Sequence, residues 1–125
     1  MAKILIIDDN LSVRELMSTV LTKKGYEVVQ AGNGADGVQL AQSQLPQLII
    51  SDVNMSHGDG YAILALLRND PATASIPFIL MTGHANETGM KRGIQEGASD
   101  YLAKPFTMQE LVATVENQLK VSGQA

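Results

Sequence analysis

No cysteine occurs in the 125 residues, so neither a disulfide framework nor a thiolate metal site is possible. Long hydrophobic runs are absent as well. The start, Met1-Ala2-Lys3, leads into about four apolar residues, far short of a signal-peptide core or the ~20 residues of a membrane span. Basic charge is scarce: the formal net charge is −4, and Lys23-Lys24 and Lys91-Arg92 are the only basic pairs. Both pairs read as solvated helix surface, and the concentrated basic face that nucleic acid needs is lacking. No repeat, linker or low-complexity stretch breaks the chain. These absences imply a cytoplasmic protein that binds neither nucleic acid nor membrane directly.

What is present points to one globular domain over 1–125, with a core from 3 to 120. Hydrophobic residues make up 45% and charged residues 18%, which argues against disorder. Short apolar runs end in polar residues. Ile4-Leu5-Ile6-Ile7 leads into Asp8-Asp9, and Leu48-Ile49-Ile50-Ser51 into Asp52. Ile76-Pro77-Phe78-Ile79-Leu80-Met81 leads into Thr82, and Asp100-Tyr101-Leu102-Ala103 into Lys104-Pro105. Apolar runs separated by helical stretches suggest a parallel α/β sheet, whose sites form outside the carboxyl ends of the strands. Three carboxylates, a hydroxyl and an ammonium would then share one edge, a grouping suited to a magnesium ion and a phosphoryl group.

Between the runs lie helices. Val13, Leu16, Met17, Val20 and Leu21 make an amphipathic stripe, with Gly25 where a left-handed cap belongs. Asn10 and the pair Ser12…Glu15 both qualify as its start. Tyr26 to Ala31 reads as a second strand, and Asn33 caps a helix through about Ser43 that Gly34 and Gly37 weaken. Asp59 caps a third helix from Gly60 to Asn69, stopped by Asp70-Pro71. A fourth, over Asn86 to Glu96, carries Gly89 and Gly93 and is the poorest of the set. Thr107 and Glu110 form a capping box for the fifth, whose stripe is Leu111, Val112, Val115 and Leu119. The order βαβαβαβαβα, with right-handed crossovers, places helices on both faces of the sheet.

With these features the chain resembles the receiver domains of two-component response regulators, the chemotaxis regulator being the minimal case. The likeness rests on Ile6-Ile7-Asp8-Asp9-Asn10, Ile50-Ser51-Asp52-Val53-Asn54-Met55, Met81-Thr82-Gly83 and Gly97-Ala98-Ser99-Asp100-Tyr101-Leu102-Ala103-Lys104-Pro105-Phe106, in order and at family-like spacing. It covers Ile4 to about Lys120 and implies a doubly wound, flavodoxin-like sheet of five parallel strands in the order 2-1-3-4-5. It further implies that Asp52 accepts a phosphoryl group from a phosphohistidine on a sensor histidine kinase or phosphotransfer protein. Mg²⁺ would be held by Asp8, Asp9, Asp52 and the main-chain carbonyl of Asn54. Lys104 would contact the phosphoryl oxygens, Thr82 would serve as the switch hydroxyl, and Tyr101 as the aromatic that rotates with it. The Lys104-Pro105 peptide is cis in that family. The implied protein is no enzyme beyond promoting its own phosphorylation and dephosphorylation. It would signal through a surface of the fourth helix, fifth strand and fifth helix to a downstream protein or fused output domain.

Plainer readings stand beside these. Tyr101 is otherwise a half-buried strand tyrosine. The resemblance places His84 beside the phosphoryl group, where it would affect its lifetime, with an exposed loop histidine the equal alternative, and His57 reads as surface. Ser56 stands where the family usually has proline, which would loosen the loop from Ser56 to Gly60. Three other functions compete with this one. A flavodoxin-like FMN protein would need a Ser/Thr/Gly-rich loop where Asp8-Asp9 would repel the phosphate. A phosphorylation-independent scaffold would have no need of the reactive residues retained here. An aspartate-nucleophile phosphatase carries its nucleophile after the first strand and needs a substrate-binding cap.

Overall fold

Isoleucine and leucine fill the central strands in near-continuous runs, so the side chains that alternate along each strand supply apolar groups to two buried faces. The computed structural model describes residues 2–55, 58–83 and 97–121. Within them lie β1 (Lys3–Ile7), α1 (Leu11–Lys23), β2 (Glu27–Ala31), α2 (Gly34–Gln44), β3 (Leu48–Asp52), α3 (Gly60–Arg68), β4 (Phe78–Thr82), β5 (Asp100–Ala103) and α4 (Met108–Val121). All five strands are parallel and lie side by side in the order β2-β1-β3-β4-β5. The sheet is therefore the expected 2-1-3-4-5 arrangement. The helix expected over 86–96 lies outside the described residues.

Strand alternation divides the core. Ile4, Ile6, Leu48, Ile50, Ile79, Met81 and Leu102 face α1 and α4, meeting Met17, Leu21, Leu111, Val115 and Leu119. Leu5, Ile7, Ile49, Phe78 and Leu80 face α2 and α3, meeting Ala41, Ile63, Leu64 and Leu67. A continuous apolar run thus serves two cores, the pattern of a sheet covered on both sides.

The helix ends follow local chemistry. Asn10 caps α1, its side chain accepting from the Val13 N–H at 3.1 Å, which decides between the two candidate starts. Asn33 and Asp59 cap α2 and α3 in the same way, accepting from Asp36 and Tyr61. Thr107 and Glu110 close the capping box reciprocally at 3.1 and 3.0 Å. Gly25 takes φ 95° after α1, where a Cβ would be strained. Three expectations change. Strand β2 begins at Glu27 rather than Tyr26. Leu16 is 52% exposed, because α1 meets the sheet along Met17 and Leu21 and leaves Leu16 at its flank. Gly37, a weakness for α2 in isolation, gives close packing: a Cβ there would lie 2.6 Å from the Ile7 side chain.

Arg68, at the end of α3, ties the amino-terminal edge together. Its guanidinium donates to the carbonyls of Ala74, Ile76 and Gly97 at 2.7 to 3.1 Å. Burial pushes the guanidinium below its ordinary value, though it stays charged. Arg68→Met would leave three carbonyls without this donor and should lower the unfolding free energy by about 2–3 kcal/mol. Urea denaturation should show an earlier midpoint at constant slope, with Arg68→Lys recovering only part of the loss. A midpoint equal to the parent's would mean that water satisfies those carbonyls equally well.

Candidate functional site

The site is built by parallel register. Ile7 pairs with Ser51 and Asp52 with Met81, so Asp8-Asp9 and Asp52 emerge side by side at the carboxyl edge. The crossovers leave β1 and β3 in opposite directions, which opens a crevice between them. Thr82 pairs with Ala103, and its carbonyl accepts from the Lys104 N–H at 2.8 Å, bringing Lys104 to the same edge. The Lys104-Pro105 peptide is cis.

Within the crevice one carboxylate oxygen each from Asp8, Asp9 and Asp52 lie within 4.8 Å of one another. Asp52 is 5% exposed and its Oδ2 accepts from Lys104 Nζ at 2.9 Å. Asp8 is buried. Its main-chain N–H donates to the Ala31 carbonyl at 3.1 Å, and its Oδ1 accepts from the Asn10 N–H at 2.9 Å. Its Oδ2 is buried with no hydrogen-bond partner. Burial, above all, pushes the Asp8 carboxyl above its ordinary 3.8, helped by the Asp52 and Asp9 carboxylates. The Asn10 N–H and the Lys104 ammonium pull it the other way.

Two carboxylates about 5 Å apart repel by roughly 3 kcal/mol at an effective dielectric constant near 20. One ammonium cannot offset three such carboxylates. An unpartnered buried oxygen among clustered acids is the donor set of a hard divalent cation, so the residues present fit Mg²⁺. The crevice opens into a cleft of about 600 Å³, continued by Val13, Leu16, Phe106 and Met108.

The other expected site residues are distributed around this centre. Thr82 ends β4 and is 2% exposed. Tyr101 is half-buried on β5 against the core on the α2–α3 side. Asn54 begins a two-residue antiparallel pairing in which it faces Asp59 and Met55 faces Gly58. The loop thought to be loosened is therefore tied at its flanks; Ser56 and His57 lie outside the described residues, as does His84. Two contributors escaped sequence reasoning. A Cβ at Gly60 would sit 2.5 Å from the Asp52 carbonyl oxygen and 3.0 Å from Val53 Cα, so only glycine lets α3 start against the Asp52 main chain. Arg14, on the polar side of α1, donates to the Asp8 carbonyl.

The sequence profile described as "Response regulator receiver domain" matches residues 4–116. A probable chemotaxis protein CheY of Rhizobium etli is 37% identical over 115 residues, covering 91% of this chain and 89% of that one. The DNA-binding dual master transcriptional regulator RpaA of Synechocystis is 38% identical over 120 residues, covering 96% of this chain but only 50% of that protein. The chain thus spans about half the length of several of its relatives. The high-resolution structure of the chemotaxis response regulator CheY4 of Vibrio cholerae superposes with a TM-score of 0.91 at 33% identity, covering 95% of this chain and 99% of that one.

Because the Asp8 carboxyl is raised in the folded state, its penalty is absent below about pH 4 and grows as pH rises through the folded value. Asp8→Asn should therefore stabilise the protein in excess chelator at pH 7, by about 0.5–2 kcal/mol, and the gain should shrink toward pH 4. Thermal melts across that range check it. A variant less stable than the parent at pH 7 would contradict the assigned repulsion.

Proposed function

The chain belongs to the response regulator receiver domain family, a family of phosphorylation-controlled signalling modules rather than conventional enzymes, and on that premise we propose that Asp52 is its phosphoacceptor. The domain would occupy 1–125, with its core over 3–120. The donor is a phosphohistidine on a sensor histidine kinase or phosphotransfer protein. An Asp52 oxygen attacks phosphorus, the P–N bond breaks as the P–O bond of the acyl phosphate forms, and the electron pair stays with the imidazole. The observation that carries this reading is Asp52 itself: buried at a strand end, salt-bridged to Lys104 and clustered with Asp8 and Asp9.

Each neighbour has a role. Asp8, Asp9, Asp52 and the Asn54 main-chain carbonyl would hold Mg²⁺, which supplies charge neutralisation so that an anionic phosphoryl group can approach carboxylates. Lys104 already contacts the Asp52 oxygen and would follow the charge onto the phosphoryl oxygens. Thr82, one residue beyond the partner of Asp52 on β4, would donate its hydroxyl to the phosphoryl group. Gly60 positions the Asp52 main chain.

The output is a surface shift. The phosphoryl group adds about −1.5 to −2 charges and gives Thr82 and Lys104 charge-assisted partners. Each such bond contributes roughly 1.5–3 kcal/mol, and ~1.4 kcal/mol is tenfold in population, so two can carry a minor state to the majority. Displacement of Thr82 would make room for Tyr101 to change rotamer, altering the face of residues 86–96, β5 and α4. The recipient is a downstream protein or a fused output domain. No helix among the described residues is long and apolar enough to cross a membrane.

Incubation with acetyl phosphate and Mg²⁺ should add one phosphoryl group, seen by intact mass, and Asp52→Asn should abolish it. Excess chelator should abolish it too; labelling that survives chelation would remove the metal from the scheme. Hydrogen exchange with a beryllofluoride phosphoryl mimic should change around Thr82, Tyr101 and the start of α4. Thr82→Ala should still take up the phosphoryl group but show a smaller change. Equal responses in both proteins would rule out Thr82 as the switch.

A further inference from the structure

We propose that Arg14 is a positioning residue for the acidic cluster, holding the main chain of Asp8 so that its buried carboxylate stays in place as a cation ligand. The proposal rests on the reading of Asp8 as a Mg²⁺ ligand. Arg14 lies in the first turn of α1, and its half-buried side chain turns back toward the sheet. Nη1 donates to the Asp8 carbonyl at 2.7 Å, and Nε donates to the Gln30 side-chain oxygen at 3.0 Å on the adjoining strand β2. Gly32 leaves room for the planar group: a Cβ there would approach Nη1 to 3.2 Å. The guanidinium is thus held by two elements while it holds a third.

The effect on Asp8 is cumulative. Its N–H is engaged by Ala31, its carbonyl by Arg14 and its Oδ1 by the Asn10 N–H. Of its polar atoms only Oδ2 is without a partner, and it is buried. Three fixed atoms leave that oxygen little freedom to swing away from Asp9 and Asp52. Mg²⁺ demands near-ideal octahedral placement, so a ligand held in advance binds it better than one that must be ordered. Partners behind metal ligands typically change affinity by roughly 10–100-fold when removed. Lysine cannot replace arginine here, because a single ammonium cannot span both the Gln30 oxygen and the Asp8 carbonyl in a planar fork.

Amide chemical-shift titration with MgCl₂ tests this on the intact chain, with thermal melts in chelator run in parallel. Arg14→Lys should weaken Mg²⁺ binding roughly tenfold. Gln30→Leu, which frees the guanidinium without removing it, should weaken binding by a smaller factor and decides the matter if Arg14→Lys does not fold. A lowered melting temperature with unchanged Mg²⁺ affinity in the folded variants would mean that Arg14 only braces the fold, and would overturn the proposal. Asp8→Asn separates the two levels. If it weakens binding while the Arg14 and Gln30 variants do not, only the positioning role fails; if it too leaves affinity unchanged, the assignment of Asp8 as a ligand fails as well.

Discussion

Three carboxylates held within 4.8 Å with one ammonium among them set the terms for the rest of the molecule. Left to themselves, like charges at that distance would separate, since each pair repels by roughly 3 kcal/mol. They remain together because they sit at the ends of two adjacent rigid strands, β1 and β3, and those ends are pinned from behind. Ala31, Asn10 and Arg14 hold Asp8, and Lys104 holds Asp52 while its own main chain is bonded to Thr82. Gly60 lets α3 begin directly against the Asp52 carbonyl. Repulsion stored at the edge is therefore balanced by packing elsewhere, as expected where function and stability pull in opposite directions.

The packing that opposes it is double-sided. Alternate residues of β1, β3 and β4 feed one core under α1 and α4 and another under α2 and α3. With apolar side chains on both faces, a one-residue slip of a central strand would still present apolar groups to each core, so register must be set from elsewhere. Caps supply part of it: Asn10, Asn33, Asp59 and Thr107 fix where each helix starts relative to the strand before it. Contacts that only glycine permits, at Gly37 against Ile7 and Gly60 against Asp52, supply more. At the opposite edge Arg68 gathers the loops before β4 and β5. One end of the sheet is thus braced while the other carries the charge.

This asymmetry suits a module that reports a single covalent event. In the proposed reading a group added at Asp52 would meet Lys104, which already contacts the Asp52 carboxylate, and would lie along the sheet from the buried Thr82, whose carbonyl accepts from the Lys104 N–H just beyond β5. On the proposed reading, a change at this strand end would have a main-chain route to the outer strand, since the Thr82 carbonyl accepts from the Lys104 N–H. Relatives that share the fold differ in length, from chains little longer than this one to proteins twice its size.

Local signals carried much of this. The apolar runs, their polar terminators and the cap residues are readable because strands and helix ends obey short-range rules, and the family motifs named Asp8, Asp9, Asp52, Thr82 and Lys104 without any coordinates. Apolar content alone could not say that Leu16 would lie at the flank of α1, since exposure depends on how wide a stripe the sheet covers. Gly37 and Gly60 look like weak helix formers in sequence, because propensity describes an isolated helix and their value lies in contacts with Ile7 and Asp52. Arg14 and Arg68 look like surface cations, because the carbonyls they bind belong to residues brought near only by folding. Short-range chemistry named the groups that meet at the site; only the tertiary arrangement decided which side chains hold them still, because distances between strands are not written in any one of them.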